Sequence, residues 1–131
     1  MPERNIEAAK RTWDAFNRRD AAAMMEDCSQ DFVLVPGRSV LSGEFHGEAG
    51  LRRYFEDTAE TFAVFAVRMD EIHGAGDRVV VIGTLRIRPF GGGPEADVPT
   101  AILYTFSAGK LIRAEDLRER DVALRAAGFD A

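Results

Sequence analysis

The chain has 131 residues, 46% hydrophobic and 30% charged, with 22 acidic side chains against 17 basic ones and a net charge of -5. That is the composition of one globular domain, and its negative balance opposes a nucleic-acid partner, which needs cations clustered on one face. No run approaches the ~18 apolar residues of a membrane span, and one cysteine with two histidines excludes an intrachain disulfide and a structural zinc.

At 14.5 kDa the expected accessible surface is about 6,900 Å² against about 21,000 Å² unfolded, enough burial for a core and one internal pocket. The charged start MPERNIEAAK lacks the apolar stretch of a signal peptide. The expectation is a single cytoplasmic domain over 1–131, with no cofactor, no metal and no membrane partner. Fifteen of the 17 basic residues are arginine, which suggests a GC-rich bacterial source and says nothing of mechanism.

Ile6, Ala9, Trp13 and Phe16 recur at spacings of three and four, so one stripe of a helix runs over about 3–18, with Pro2 near its first turn. Asp20 is a suitable N-cap for a short second helix carrying Ala21, Met24, Met25 and Cys28. Phe32 to Val35 are β-prone and stop at Pro36-Gly37, and 43–47 read as a short extended piece. A third helix follows, with the stripe Leu51, Tyr54, Phe55, Thr58 and Phe62 and with Glu48 where it suits the helix dipole. Beyond Phe62 the period changes from 3.6 to 2, giving strands at about 63–73, 78–89, 96–107 and 110–118. Gly74–Asp77, Pro89–Pro94 and Ser107–Gly109 supply the hairpin turns. A last helix over about 120–127 ends on Gly128. Pro99 lies inside the third long strand and lacks an N–H, which predicts an edge position, a bulge or a bend there. Helices in one group and strands in another define an α+β fold: a strongly curved antiparallel sheet wrapped around three N-terminal helices.

The segments RTWDAFNRRD (11–20), FHGEAGLRRYFED (45–57), GDRVVVIGTLRIR (76–88) and GKLIRAEDLRERDVALRAAG (109–128), in that order, resemble the SnoaL-like branch of the nuclear transport factor 2-like superfamily. The resemblance covers nearly the whole chain. It implies a cone-shaped barrel open at one end onto a hydrophobic pocket, and a homodimer. It implies no single activity, because isomerases, cyclases, dehydratases, epoxide hydrolases and non-catalytic binders share that container. Against ketosteroid isomerases, Thr12, Pro36 and Ile102 stand where a tyrosine and two acids would be. Against limonene epoxide hydrolase-like enzymes, the stretch Arg86-Ile87-Arg88 lacks the second acid. A cyclase or aldol-type reaction on a polyketide-like substrate is the activity left.

The residues themselves place one candidate centre. A three-residue loop Ser107-Ala108-Gly109 would pair Phe106 with Lys110, and so put Thr100, Ile102, Tyr104, Ile112, Ala114 and Asp116 on one face. Asp116 is its only charged member. Desolvation there would disfavour the charged form, the condition for general acid or base work, with Thr100 and Tyr104 hydroxyls able to donate to it. His46, just before the third helix, is the second catalytic candidate, as a donor to a carbonyl or enolate. Trp13, Phe16, Met24, Leu34, Tyr54 and Phe62 complete the apolar lining, the polar tips of Trp13 and Tyr104 facing the ligand. The other face of the hairpin, with Ala101, Leu103, Arg113 and Glu115, and Leu117 beyond it, suits an outer or dimer surface. The bland alternatives are an ion pair of Asp116 with Arg118 or Arg86, a cross-strand pair of Arg88 with Asp97, and a locally packed turn for His46. Arg38, Arg86 and Arg88 are candidates for holding a carboxylate or phosphate, and His73 reads as an exposed turn residue. The function expected is binding of a small, largely apolar molecule with proton transfer on it; the alternative is a non-catalytic ligand-binding or dimerisation module.

Overall fold

Trp13 is the bulkiest member of an apolar helix stripe, and the structure seats it on the sheet at a glycine. The structure, a computed structural model, describes residues 2–37 and 43–129. Helix α1 (Pro2–Asn17) buries Ala8, Ala9, Thr12, Trp13 and Ala15 and turns its charged residues outward. Asp20 caps α2 (Ala21–Met25) as expected, its side chain accepting from the Ala23 N–H at 3.0 Å. Helix α2 is shorter than the sequence suggests. Cys28 opens strand β1 (Cys28–Val35) instead, because it pairs with Leu111 in the sheet. After β2 (Phe45–His46) comes α3 (Gly47–Thr61), whose buried face is Leu51, Tyr54, Phe55 and Thr58. Phe62 belongs to the next strand.

The four long strands are β3 (Phe62–Ala75), β4 (Arg78–Pro89), β5 (Ala96–Ser107) and β6 (Lys110–Asp116), and α4 (Arg120–Ala126) closes the chain. They form the expected antiparallel meander. The full sheet runs β2-β1-β6-β5-β4-β3 and does not close on itself. One pairing departs from the sequence expectation: β1 lies parallel to β6. Local patterning reveals that a segment is a strand, but not which distant strand it meets. Register shifts between Phe62 and Val64 and between Met69 and Glu71 bend β3, and α1, α2 and α3 fill the concave side.

The β5–β6 turn is two residues long, not three. Ala108 and Gly109 both have positive φ, and Ser107 pairs with Lys110. A bulge between Thr105 and Phe106 then shifts the ladder again, so Tyr104 faces Ala114 and Ile102 faces Asp116. The two displacements add to two residues, which preserves the face. Leu111, not Ile112, is the inward residue beyond the bulge. Pro99 sits where β5 has passed the end of the β6 ladder, and it stands opposite Thr84 in an unbroken β4–β5 ladder.

The outer face of the hairpin does not need a partner chain to cover it. Ala101 and Leu103 are buried with Val80 beneath Ala123, Leu124 and Ala127, and Leu117 and Phe129 pack around them. Helix α4 is held there electrostatically as well. Arg120 makes a two-pronged bond to Glu71, at 3.0 and 3.1 Å, and Arg78 donates to the Ala126 carbonyl at 2.8 Å. His73 stands in β3 rather than in a turn, 3.0 Å from Glu71, its ring edge-on to Phe129. Among the described residues no helix is long and apolar enough to cross a membrane.

Two consequences are measurable. The bonds from Arg120 and then His73 hold the Glu71 carboxyl down at about 2, from an ordinary 4.5. The depressed value means that its stabilisation is complete above about pH 4.5 and is lost as the pH falls towards 2. Thermal midpoints of the protein and Glu71→Gln should therefore differ by a constant amount near neutrality and converge over that acid window; a gap that persists below it would refute the clamp. At Gly83 a methyl group would collide with the Arg68 carbonyl and press on the Trp13 ring, 3.1 Å from Cη2. Gly83→Ala should cost about 2 kcal/mol, lowering the unfolding midpoint by roughly 5–10 °C in calorimetry.

Candidate functional site

The helices fill the narrow end of the cone with small residues and leave a slot towards its wide end. Trp13 and Phe16 of α1, Met24 of α2 and Tyr54 of α3 form its helical wall. Opposite stand Phe65 and Val67 of β3, Leu85 of β4, and Thr100, Ile102 and Tyr104 of β5. Leu34, Val35, Pro36 and Gly37 follow β1 out to the mouth, and Ala114 and Asp116 complete the lining from β6. The concavity encloses about 560 Å³ with its mouth, but only about 40 Å³ of this admits the centre of a water molecule, room for a few waters. It is a narrow slot opening onto a wider entrance.

The aromatic side is built as one cluster. Phe16 touches Tyr54, Phe55 and Phe65 at centroid distances of 5.9, 5.4 and 6.4 Å, spacings at which rings attract. Arg19, at a positive φ of 58°, locks that cluster from behind. It donates to Thr58 Oγ1 and to the Phe65 carbonyl, at 2.9 and 3.1 Å, with its guanidinium over the Phe65 ring.

Among the described residues Asp116 is the only charged side chain in the lining. Thr100 Oγ1 donates to its Oδ2 at 2.8 Å. The backbone N–H groups of Ala101 and Arg118 donate to Oδ1, at 3.3 and 2.9 Å. The sequence suggests an acid starved of solvation; the fold instead gives it three donors, because β6 ends at this residue and its side chain takes over the bonds that a longer strand would have made. The expected bond from Tyr104 does not form. That hydroxyl is buried and bonded to Thr12, and burial pushes its ionisation well above the ordinary phenol value. Tyr104 is thus a neutral wall residue.

Of the other candidates, Thr100, Ile102, Ala114, Trp13, Phe16, Met24, Leu34 and Tyr54 all line the slot. Phe62 does not: it is buried behind the wall, against Phe65 at 5.5 Å. His46 is not brought to the slot either. Strand alternation turns Phe45 inward and His46 outward, where its side chain is 66% exposed and 3.4 Å from Glu44. The register puts Arg86, not Arg88, opposite Asp97, and the two form an outer-face ion pair at 2.9 Å. Arg38 lies outside the described residues. Phe65, Val67 and Leu85 escaped the sequence analysis, although the alternation of Phe65, Val67 and Met69 in β3 was the signal that could have found them. Among the described residues no group of three or more His, Cys, Asp and Glu could hold a metal.

An open, curved sheet around three helices, with an apolar slot and one carboxylate in its wall, is the container of the nuclear transport factor 2-like fold. Within it the chain belongs to the SnoaL-like family, whose domain model matches residues 9–114. Among solved structures, TerC, co-crystallised with polyporic acid, is 26% identical, with 95% of this chain and 97% of that one covered at a TM-score of 0.80. Bal32a, from a soil-derived mobile gene cassette, is also 26% identical, with 93% and 94% covered at 0.73. An NTF2-like protein of unknown function from Burkholderia pseudomallei shares 22% identity, with 95% and 98% covered at 0.79, and shows the fold alone. No curated protein matches the chain.

Cys28, inside the core beside this site, has its thiol pushed up to about 12, first by burial and then by the neighbouring Asp27. A thiol held neutral is a poor nucleophile. With a chromogenic disulfide at about pH 8, the native protein should react far more slowly than the unfolded chain; equal rates would place Cys28 at the surface.

Proposed function

We propose that the protein binds a small, largely apolar molecule in the slot and that Asp116 moves a proton on it, in chemistry of the cyclase, aldol or isomerase kind. The observation that carries this is the one carboxylate among the described lining residues, fixed through both oxygens in a wall that, apart from the Thr100 hydroxyl bonded to it, is mainly apolar and aromatic. Asp116 can take a proton from an acidic C–H or O–H of the bound molecule and return it elsewhere, with no covalent intermediate. The Trp13 indole N–H is buried and has no hydrogen-bond partner among the described residues, which leaves it available to a ligand oxygen. The fold supplies the precedent of a container for small molecules, and TerC with polyporic acid is one example.

The same geometry favours a second reading. Asp116 ties the end of β6 to β5 and to the turn at Arg118, a structural task that a non-catalytic binding module would need just as much.

Two substitutions separate them. Asn at 116 keeps the volume and one oxygen for the same N–H donors, but cannot exchange a proton at useful rates. Asp116→Asn should retain the fold and ligand affinity within about tenfold while abolishing exchange of α-hydrogens for deuterium on small ketones such as cyclohexanone, followed by NMR. Asp116→Ala should in addition lose about 2–3 kcal/mol of stability with its hydrogen bonds. Ketone exchange no faster than buffer in the unaltered protein, or unchanged in Asp116→Asn, would leave only the binding module.

A further inference from the structure

The bonds that fix Asp116 leave part of its carboxylate unused. Oδ1 accepts the backbone N–H groups of Ala101 and Arg118, at 3.3 and 2.9 Å, and Oδ2 accepts the Thr100 hydroxyl at 2.8 Å. A carboxylate offers about four lone-pair sites, roughly two on each oxygen. Oδ1 is therefore filled, and one acceptor site remains on Oδ2. That oxygen is the one beside Thr100, which itself lines the slot.

Among the described residues no cation answers that charge. No Lys, Arg or His lines the slot, and Asp116 has no ion-pair partner. Arg86 is engaged by Asp97 on the outer face at 2.9 Å. The stem of Arg118 passes the same mouth as the carboxyl group: a Cβ on Gly37 would lie 3.1 Å from Arg118 Cγ and 3.1 Å from Asp116 Cγ. Arg118 gives the carboxylate its backbone N–H, and its guanidinium forms no ion pair with it. A carboxylate facing an apolar slot with an acceptor site to spare gains most from a charged donor, since charge-assisted hydrogen bonds are the strong ones and the apolar surroundings strengthen them.

The rest of the wall suits the same guest. Trp13 rests on Gly83, its Cη2 and Cζ2 3.1 and 3.2 Å from where a Cβ would stand. Gly83 is opposite Thr100 in the β4–β5 ladder, so the indole and the carboxylate stand on either side of one threonine. Phe16, Tyr54 and Phe65 continue the aromatic surface, and aromatic faces attract cations. We propose that the slot takes a small alkylated amine, its protonated nitrogen donating to Asp116 Oδ2 and its hydrocarbon lying among the rings. This rests on the ligand-binding reading above and names the chemical class of that ligand; it gives Asp116 a task in the non-catalytic module as well.

Trp13 is the only tryptophan of the chain and lines the slot, so its fluorescence reports entry. The probes share one ring and differ in charge: N,N-dimethylcyclohexylamine, a cation with a single N–H at neutral pH, cyclohexanol and cyclohexanecarboxylate. The amine should shift the emission saturably with a Kd about tenfold below that of the alcohol, and the carboxylate should bind weakest. Asp116→Asn should erase the preference of the slot for the amine over the alcohol. The ranking of the three probes on the unaltered protein needs no variant, and it decides the matter if Asp116→Asn folds poorly. An alcohol or carboxylate that binds as tightly as the amine, or a preference that survives Asp116→Asn, would overturn the amine while leaving the slot as a binding site. If none of the three perturbs Trp13 at millimolar concentration, the ligand-binding reading and the amine fall together.

Discussion

Docking of α1 against the concave face at Gly83 is the contact on which the site depends. A helix can lie that close to a strand only where no side chain intervenes, and Gly83 is the position in β4 that receives the Trp13 ring. From that contact the rest follows by geometry. Below it the small residues Ala8 and Ala9 are buried and let the helix lie close to the sheet. Above it Trp13 and Phe16 reach across a widening gap that they cannot close, and the slot is what they leave. The cavity is thus a product of curvature, supplied by the irregularities of β3, and of residue size along a single helix.

Polar groups in this fold are committed with some economy. The Thr12 hydroxyl donates to Ala9 within its own helix and stands beside Tyr104, so one small side chain satisfies a buried phenol at the sheet. Asn17, the last residue of α1, accepts from the Val67 N–H of β3, and Arg19, just past the helix, donates to the Phe65 carbonyl. Both backbone groups face the free edge of the sheet, and covering them blunts that edge at the level of the slot. The residues that protect the edge therefore also brace the aromatic wall.

Much of the architecture was legible in the sequence because local patterns dictate it. The stripe of α1, the Asp20 cap, the period of two beyond Phe62 and the turn residues each name an element without reference to anything distant. The lining of β5 and β6 was legible for a weaker reason. The loop was read one residue too long and the bulge at Thr105 was unseen, and each displaces the ladder by one residue, so their sum is even and parity survives. What escaped depends on encounters between remote segments: β1 beside β6, α4 over Ala101 and Leu103, and the three donors around Asp116. The apolar outer residues that suggested a dimer are explained by α4, whose destination no local pattern announces. Likewise, His46 fell on the wrong side of β2 because two residues are too few to display an alternation.

The parallel pairing of β1 with β6 also sets an order of events as the chain is made. The meander β3 to β6 joins neighbours through short turns and can assemble as soon as its residues are available. Strand β1 must wait for β6, because its partner Leu111 lies well over half the chain away from Cys28. Pairs so distant carry the largest loop-closure cost and form late. On a ribosome, Phe32 and Leu34, later sealed in the core, emerge when only the helices and the short β2 can cover them, before the rest of the sheet exists. The fold's last strand to be synthesised completes its first, and for most of synthesis β1 has only the two-residue β2 beside it, its other edge open and sticky.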